Sequence, residues 1–185
     1  MTLKHYLEKG AVYYVTSVTY NRKDIFSDTL SARFLLVTIV YHKYILEFNL
    51  FGYVIMPDHF HILLQPSERY DLPQIMKYIK GNFARKYNEW HSPDISDTPG
   101  RAELIPHYKR VKDAVVSYIP VWQRGYYETV MRDEKDIINR LNYMHNNPVR
   151  KGLVETPDQY EFSSFHQYYG TPREKIQIPI DKIQL

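Results

Sequence analysis

The sequence predicts an α+β fold of the ferredoxin-like (RRM-like) kind, in which helices pack on one face of an antiparallel sheet. Two observations predict it. The first five elements read as strand, helix, strand, strand and helix, and residues 126–131 can supply a closing strand. At 185 residues the chain is long enough to bury a sizeable core in one domain.

The first elements follow from local composition. Residues 11–20 are rich in β-branched and aromatic side chains, which favours a strand. Ser27 or Asp28 can cap a helix that runs through about residue 47, because its apolar residues recur at helical spacing. Residues 52–64 then read as two strands joined by a Pro-Asp turn.

The later elements complete the sheet and add a helix. Residues 71–91 carry apolar side chains at helical spacing, and residues 126–131 form the closing strand. A third helix begins after Asp133 and runs to about Asn147. We expect one domain over residues 1–170. Within it, the Pro-rich range 92–118 is predicted to be a loop insertion. After it, residues 171–185 are predicted to form a C-terminal tail.

Composition restricts the function classes. The net charge of +3 permits nucleic-acid binding without demanding it, since local patches matter more than the total. Zero cysteines exclude a disulfide scaffold and thiolate zinc sites. The N-terminus lacks the apolar core of a signal peptide, and the apolar region 34–56 is interrupted by charged and polar residues. We therefore expect a cytoplasmic protein without a membrane partner.

The predicted second strand of the hairpin carries His59-Phe60-His61. Because alternate strand residues share a face, the two imidazoles project together while Phe60 turns inward. Two imidazoles on a rigid strand make half of a divalent-metal site that needs one more oxygen or nitrogen ligand. The same pattern also occurs in strands that bind no metal, so the triplet alone leaves both interpretations open.

The third predicted helix has an unusual polar face. At about 100° per residue, Tyr143, Asn147 and Arg140 lie on one side, and the apolar residues lie on the other: Ile137, Leu141 and Met144. This face is typical of a nucleophile, an amide ligand and a phosphate-binding guanidinium. The alternative is a solvent-facing tyrosine followed by a helix stop, because Asn-Asn-Pro ends a helix by itself.

Several segments together resemble the single-tyrosine HUH transposases, and in particular their REP-associated branch. HUH denotes His-hydrophobic-His. The resemblance covers about residues 11–169 and rests on ordered motifs: the hairpin strand Val54–Leu64, the run Val121–Glu134, the helix and exit Leu141–Val154, and the shorter segments Thr19–Phe26 and Tyr160–Phe165.

The resemblance implies a metal-dependent endonuclease and strand-transferase that acts on single-stranded DNA at hairpin-containing repeats. It implies that His59 and His61 bind Mg²⁺ or Mn²⁺, that Asn147 takes the place of the third ligand, and that Tyr143 is the nucleophile. The product would be a 5′-phosphotyrosine and a free 3′-OH. Relatives act as homodimers or as monomers, and the resemblance leaves both open.

Basic and aromatic residues are candidates for DNA contact: Arg22, Lys23, Lys77, Lys80, Arg85, Lys86, Arg140, Tyr126 and Tyr127. Basic residues on an amphipathic helix are equally typical of a solvated face, and aromatic residues of a core. The alternative function is a domesticated module that binds structured DNA or RNA without cleaving it. A small-molecule metal hydrolase is disfavoured, since two histidines and an asparagine supply no carboxylate base.

Overall fold

The structure is a computed structural model that describes residues 8–91, 108–111, 114–117, 119–170 and 178–182. Its strands are β1 (Val12–Val18), β2 (Asn49–Met56), β3 (His59–Gln65), β4 (Tyr108–Val111), β5 (Ala114–Ser117) and β6 (Tyr127–Met131). Its α-helices are α1 (Thr29–Leu46), α2 (Leu72–His91), α3 (Glu134–His145), α4 (Asn147–Arg150) and α5 (Phe165–Tyr169).

Four strands form one antiparallel sheet in the order β2-β3-β1-β6. This order, with α1 and α2 connecting the strands, confirms the predicted ferredoxin-like α+β fold. The strands β4 and β5 pair separately as a hairpin. They lie inside the range 92–118, which sequence analysis assigned to a loop, so part of that range is a β-hairpin. Residues 92–107 lie outside the described residues.

The two long helices cover one face of the sheet. Their inward residues pack against every second residue of β1, β2 and β3, and together they form the helical-layer core: Tyr13, Val15, Leu35, Ile39, Tyr53, Phe60, Ile62, Ile75, Ile79 and Phe83, among others. The N-terminus of α1 is capped by Asp28, whose carboxylate accepts hydrogen bonds from the Leu30 and Ser31 amides. This cap was one of the two that the sequence predicted.

The opposite face of the sheet carries α3 and a smaller apolar cluster: Tyr14, Val54, Met56, Leu63, Met131, Leu141 and Met144. The helix lies very close to β2 at Gly52. A Cβ atom at that position would lie 2.6 Å from Leu141 Cδ2 and 2.7 Å from Met144 Cε. Only glycine leaves room for this approach, and it therefore sets how deeply α3 sits on the sheet.

The outer edge of β2 is covered by later parts of the chain. The Ile55 amide donates to the Phe162 carbonyl, and the Ser164 amide donates to the Tyr53 carbonyl. Asp181, in the predicted C-terminal tail, accepts a hydrogen bond from the Leu50 amide at 2.8 Å. These contacts pair the backbone groups that an edge strand otherwise leaves exposed. No helix among the described residues is long and apolar enough to cross a lipid bilayer.

Candidate active site

The histidines lie side by side on β3, on the sheet face that carries α3. Their rings are 4.8 Å apart between centroids and nearly perpendicular. Phe60, between them, is fully buried on the other face and packs edge-on against Trp122. The strand alternation that the sequence predicted therefore brings both imidazoles to the same side as the Tyr143 helix.

Each imidazole is held through its Nδ1 atom. His61 Nδ1 lies 2.7 Å from Thr16 Oγ1, across the strand pair in which Thr16 is the register partner of His61. His59 Nδ1 lies 2.5 Å from the carboxylate of Asp58. Asp58 accepts a further hydrogen bond from Arg22 at 2.8 Å. Because a carboxylate only accepts, the proton of His59 lies on Nδ1 and its Nε2 lone pair is free.

Asn147 meets the histidine pair from the helical side. The amide nitrogen of its side chain lies 3.0 Å from His61 Nε2, and Asn147 is only 6% exposed. The helix α3 ends at His145, two residues before the predicted end, and Asn147 begins the separate helix α4. Pro148 explains the break, because proline starts a helical turn readily and cannot continue one.

Tyr143 lies on the exposed side of α3, where it is 39% exposed. Its ring meets the ring of Tyr14 edge-on at 6.5 Å, and Tyr14 in turn stacks on His61 at 5.1 Å. Two guanidinium groups flank this aromatic row. Arg140 lies 5.3 Å above Tyr14, and Arg150 lies 5.0 Å above Tyr143. The row links the nucleophile candidate to the histidine pair by direct ring contacts.

Burial controls the charge of the site. It lowers the pKa of His61 to about 3, assisted by the neighbouring His59, and it also lowers the pKa of His59. Burial alone would raise the pKa of Asp58, but hydrogen bonds from His59 and Arg22 outweigh it and keep that pKa below its usual value. Both imidazoles are therefore neutral at physiological pH, which is the form that binds a metal ion.

The donor set fits a divalent ion. Both Nε2 lone pairs are unprotonated when Nδ1 donates to Thr16 and Asp58, and the Asn147 amide already meets one of them. An amide group can present either its nitrogen or its oxygen by rotating half a turn, and the two atoms are assigned from the hydrogen-bond network. No group of three His, Cys, Asp or Glu side chains suited to a metal occurs among the described residues. The third protein ligand would therefore be the Asn147 amide.

The candidate DNA-contact residues divide into four groups. Tyr126 is 7% exposed and packs in the helical-layer core, so its ring does not offer a stacking surface; burial of the aromatic ring overrides that prediction. Lys80 donates to the Gln123 and Gly125 carbonyls, and Lys86 pairs with Glu89 at 2.8 Å. Exposed side chains make up the third group: Arg22, Lys23, Lys77, Arg85 and Tyr127. Arg140, half-buried, lies over Tyr14.

Sequence reasoning did not assign a role to Tyr14, Thr16, Asp58 or Arg150. Asp58 directly precedes His59, so its adjacency was a signal that could have been used. Thr16 and Tyr14 reach the site only through the register of β1 against β3, which no local pattern reveals. His145, which is also on α3, is buried, and its Nε2 lies 2.9 Å from Ser164 Oγ.

The chain is similar in sequence to known transposases. The family described as "Transposase IS200 like" matches residues 9–99. A protein of Haemophilus influenzae, provisionally described as a REP-associated tyrosine transposase, is 28% identical over 161 residues, which cover 86% of this chain and 82% of that protein. The REP-associated tyrosine transposase of Escherichia coli is 23% identical over 167 residues, covering 89% and 82%.

The fold also matches a solved structure. A REP-associated tyrosine transposase bound to a REP hairpin superposes with a TM-score of 0.66 at 20% identity, covering 99% of this chain and 94% of that one. At this identity the likeness concerns the fold, and it includes the four-stranded antiparallel sheet with its helices.

Proposed function

We propose that this chain, which is similar to REP-associated tyrosine transposases and matches the IS200-like transposase family over residues 9–99, cleaves and rejoins single-stranded DNA at hairpin-containing repeats. The observation that carries this proposal is the meeting of His61 and Asn147 beside Tyr143. A module that only bound DNA would not need a buried, neutral imidazole pair and a buried amide close to a partly exposed tyrosine.

In the proposed reaction the Tyr143 oxygen attacks a backbone phosphorus atom. The new bond joins that oxygen to phosphorus, and the bond from phosphorus to the 3′ oxygen breaks. The phenol loses its proton to solvent, the leaving 3′ oxygen gains one, and the product is a 5′-phosphotyrosine with a free 3′-OH. Attack by a 3′-OH on the phosphotyrosine reverses these steps and rejoins a strand without an external energy source.

The chain's own residues have separate tasks in this reaction. His59, His61 and Asn147 would hold Mg²⁺ or Mn²⁺, which supplies polarisation of the phosphate when bound. Thr16 and Asp58 fix the ring orientations of the two histidines. Arg140 and Arg150 supply positive charge next to Tyr143, where the phosphate carries negative charge. Tyr14 supports the ring of His61 from the side of β1.

The decisive experiment is capture of the covalent product. The protein is incubated with Mn²⁺ and a labelled DNA hairpin that carries single-stranded tails, and a denaturing gel separates a protein–DNA adduct from free DNA. We expect an adduct with the natural chain and with Tyr44→Phe, an exposed tyrosine on α1 that serves as the matched control. Tyr143→Phe should form none.

The outcomes separate the two functions considered for this fold. DNA binding without an adduct under these conditions would support the non-cleaving module instead. An adduct that persists in Tyr143→Phe would contradict the assignment of the nucleophile. Manganese binding, followed by electron paramagnetic resonance in the absence of DNA, should weaken at least tenfold in His61→Ala, because that variant loses one of three protein ligands.

A further inference from the structure

On the face of the molecule away from Tyr143, α1 and α2 leave a groove of about 540 Å³ between their outer sides. We propose that this α1–α2 groove is a second DNA-binding site, which holds an unpaired nucleotide by stacking its base on Tyr41 or Tyr78 and its phosphate on Lys77 and Arg85. The choice of DNA as occupant rests on the proposed function.

The aromatic side chains of the groove are partly exposed and grouped. Tyr41 is 55% exposed and Tyr78 is 49% exposed, and both rings contact the ring of His42. His42 is buried and anchored, because its Nδ1 lies 2.8 Å from the Thr38 carbonyl and donates to it. A fixed ring between two exposed ones forms an aromatic platform, and base stacking on such platforms binds single strands with little sequence preference.

The charges of the groove select a negatively charged occupant. Lys77 and Arg85 line it, and the described lining includes no acidic side chain. Neither cation forms an ion pair within 4.0 Å among the described residues, whereas Lys86, one residue after Arg85, is paired with Glu89. Arg85 also interacts electrostatically with Glu89, which lies outside the lining. Two cations that form no close ion pair, beside exposed rings, match a phosphate next to a base.

A glycine in the middle of α2, Gly81, lines the groove. A Cβ atom at Gly81 would have no heavy atom within 4 Å, so the position opens into free space. Glycine in a helix interior lowers stability relative to alanine, and the packing here does not require it. Because Gly81 has no side chain, the groove stays open beside Tyr78 and Asn82.

A second copy of the chain is the alternative occupant, because α1 also exposes Val37, Tyr44 and Ile45. A symmetric contact whose two-fold axis passes through the groove would bring Lys77 and Arg85 of one copy towards the same residues of the other. Burying like charges without partners is unfavourable. The charge of the groove therefore favours DNA.

The test measures binding of a fluorescently labelled oligothymidine by anisotropy. Gly81→Leu fills the groove without removing any contact, and we expect it to lower the affinity at least fivefold while the melting temperature stays equal or rises. Tyr78→Ala should lower the affinity about tenfold, since stacking on an aromatic ring is lost. Tyr44→Ala, on the same layer but outside the lining, is the matched control and should leave the affinity unchanged.

The contribution of the positive charges in the groove is tested by substituting two adjacent residues, Arg85 and Lys86. Arg85→Gln should weaken binding and reduce the slope of log affinity against log salt by roughly one, because one phosphate contact is lost. Lys86→Gln, which removes a cation already paired with Glu89, should change the slope less.

These results separate the groove from the proposed function. Unchanged affinity in both Gly81→Leu and Tyr78→Ala would overturn the proposal that the α1–α2 groove binds DNA, even if the Tyr143 adduct forms. If those variants lose affinity and the natural chain forms no Tyr143 adduct, the α1–α2 groove remains a DNA-binding site and the cleavage mechanism is rejected. A dimer, seen by light scattering, that Gly81→Leu dissociates would identify a second copy as the occupant and overturn the DNA proposal.

Discussion

The two faces of the sheet differ in what they bury. Among the residues that the structure describes, the helical-layer core contains 25 buried apolar residues, whereas the cluster beneath α3 contains seven. On the second face, buried polar side chains take the remaining space: His59, His61, His145, Asn147 and Ser164. Apolar burial supplies most of the free energy of folding, and each buried polar group must find a partner. One face therefore stabilises the sheet, and the other positions chemical groups on it.

The largest effect should follow from emptying the helical-layer core. Phe83 is fully buried and its ring contacts Phe26, Phe34 and Trp122. Phe83→Ala should lower the free energy of unfolding by about 3–5 kcal/mol, measured by chemical denaturation, because apolar contacts are lost and a cavity remains. Leu30→Ala, at a position that is 70% exposed, should change it little. A loss below about 1 kcal/mol in Phe83→Ala would contradict the division of roles between the faces.

A smaller loss of stability with a larger loss of activity should follow from a side chain at Gly52. Gly52→Val places atoms where Leu141 and Met144 already lie, so it should cost about 1–3 kcal/mol and displace α3. Adduct formation should fall at least tenfold, since about 1 Å of misplacement can cost 100-fold in rate. Gly81→Ala is the control and should raise stability by up to about 1 kcal/mol. Unchanged adduct formation in Gly52→Val would show that α3 does not set the position of Tyr143.

The polar face also contains one support that takes no part in the chemistry. Ser164 Oγ accepts from the Tyr53 amide at 3.0 Å and lies 2.9 Å from His145 Nε2. Ser164→Ala leaves both groups without this partner and should lower the free energy of unfolding by about 1–2 kcal/mol. Ser27→Ala, at an exposed position, should be close to neutral. Equal effects of the two substitutions in chemical denaturation would show that the Ser164 network contributes no stability.

The smallest effect concerns the dependence of stability on pH. Burial lowers the pKa of His42 in the folded chain below its ordinary value of 6.5. As the pH falls below 6.5, His42 binds a proton in the unfolded chain before it does so in the folded chain. The free energy of unfolding therefore falls as the pH falls. Protonation would also add a positive charge to the groove lined by Lys77 and Arg85, beside Tyr41 and Tyr78. The natural chain should therefore lose more stability between pH 7.5 and 5 than His42→Gln does. Parallel pH profiles of the two proteins in chemical denaturation would refute this.

The strands of the four-stranded sheet and the helices α1, α2 and α3 could be predicted because their signals are local. The alternation in β1 and β3, the helical periods of α1 and α2, and the caps Asp28 and Asp133 each lie within a few residues of sequence. The polar face of α3 followed from the same periodicity. The ferredoxin-like arrangement followed from the sequence of the elements along the chain, with a hairpin at Pro57-Asp58.

The rest depends on contacts between distant residues. The pairing of Thr16 with His61 requires the register of two strands, and the docking of Asp181 on Leu50 spans 131 positions. The sequence could not predict which of two neighbouring tyrosines is buried. Tyr126 and Tyr127 have the same chemistry, but only Tyr127 is exposed. Residue type predicted which groups could act, and only the packing decided which of them meet.

The covered edge of β2 has a consequence for synthesis on the ribosome. Leu50 leaves the ribosome long before Asp181, and the strand partners of β1 on β6 are also more than 100 residues away. At 5–20 residues per second, the β2 edge waits roughly 10 s for the segment that covers it. During that interval the nascent chain presents an unpaired strand to its surroundings. The order in which the residues emerge therefore determines how long this edge stays unpaired.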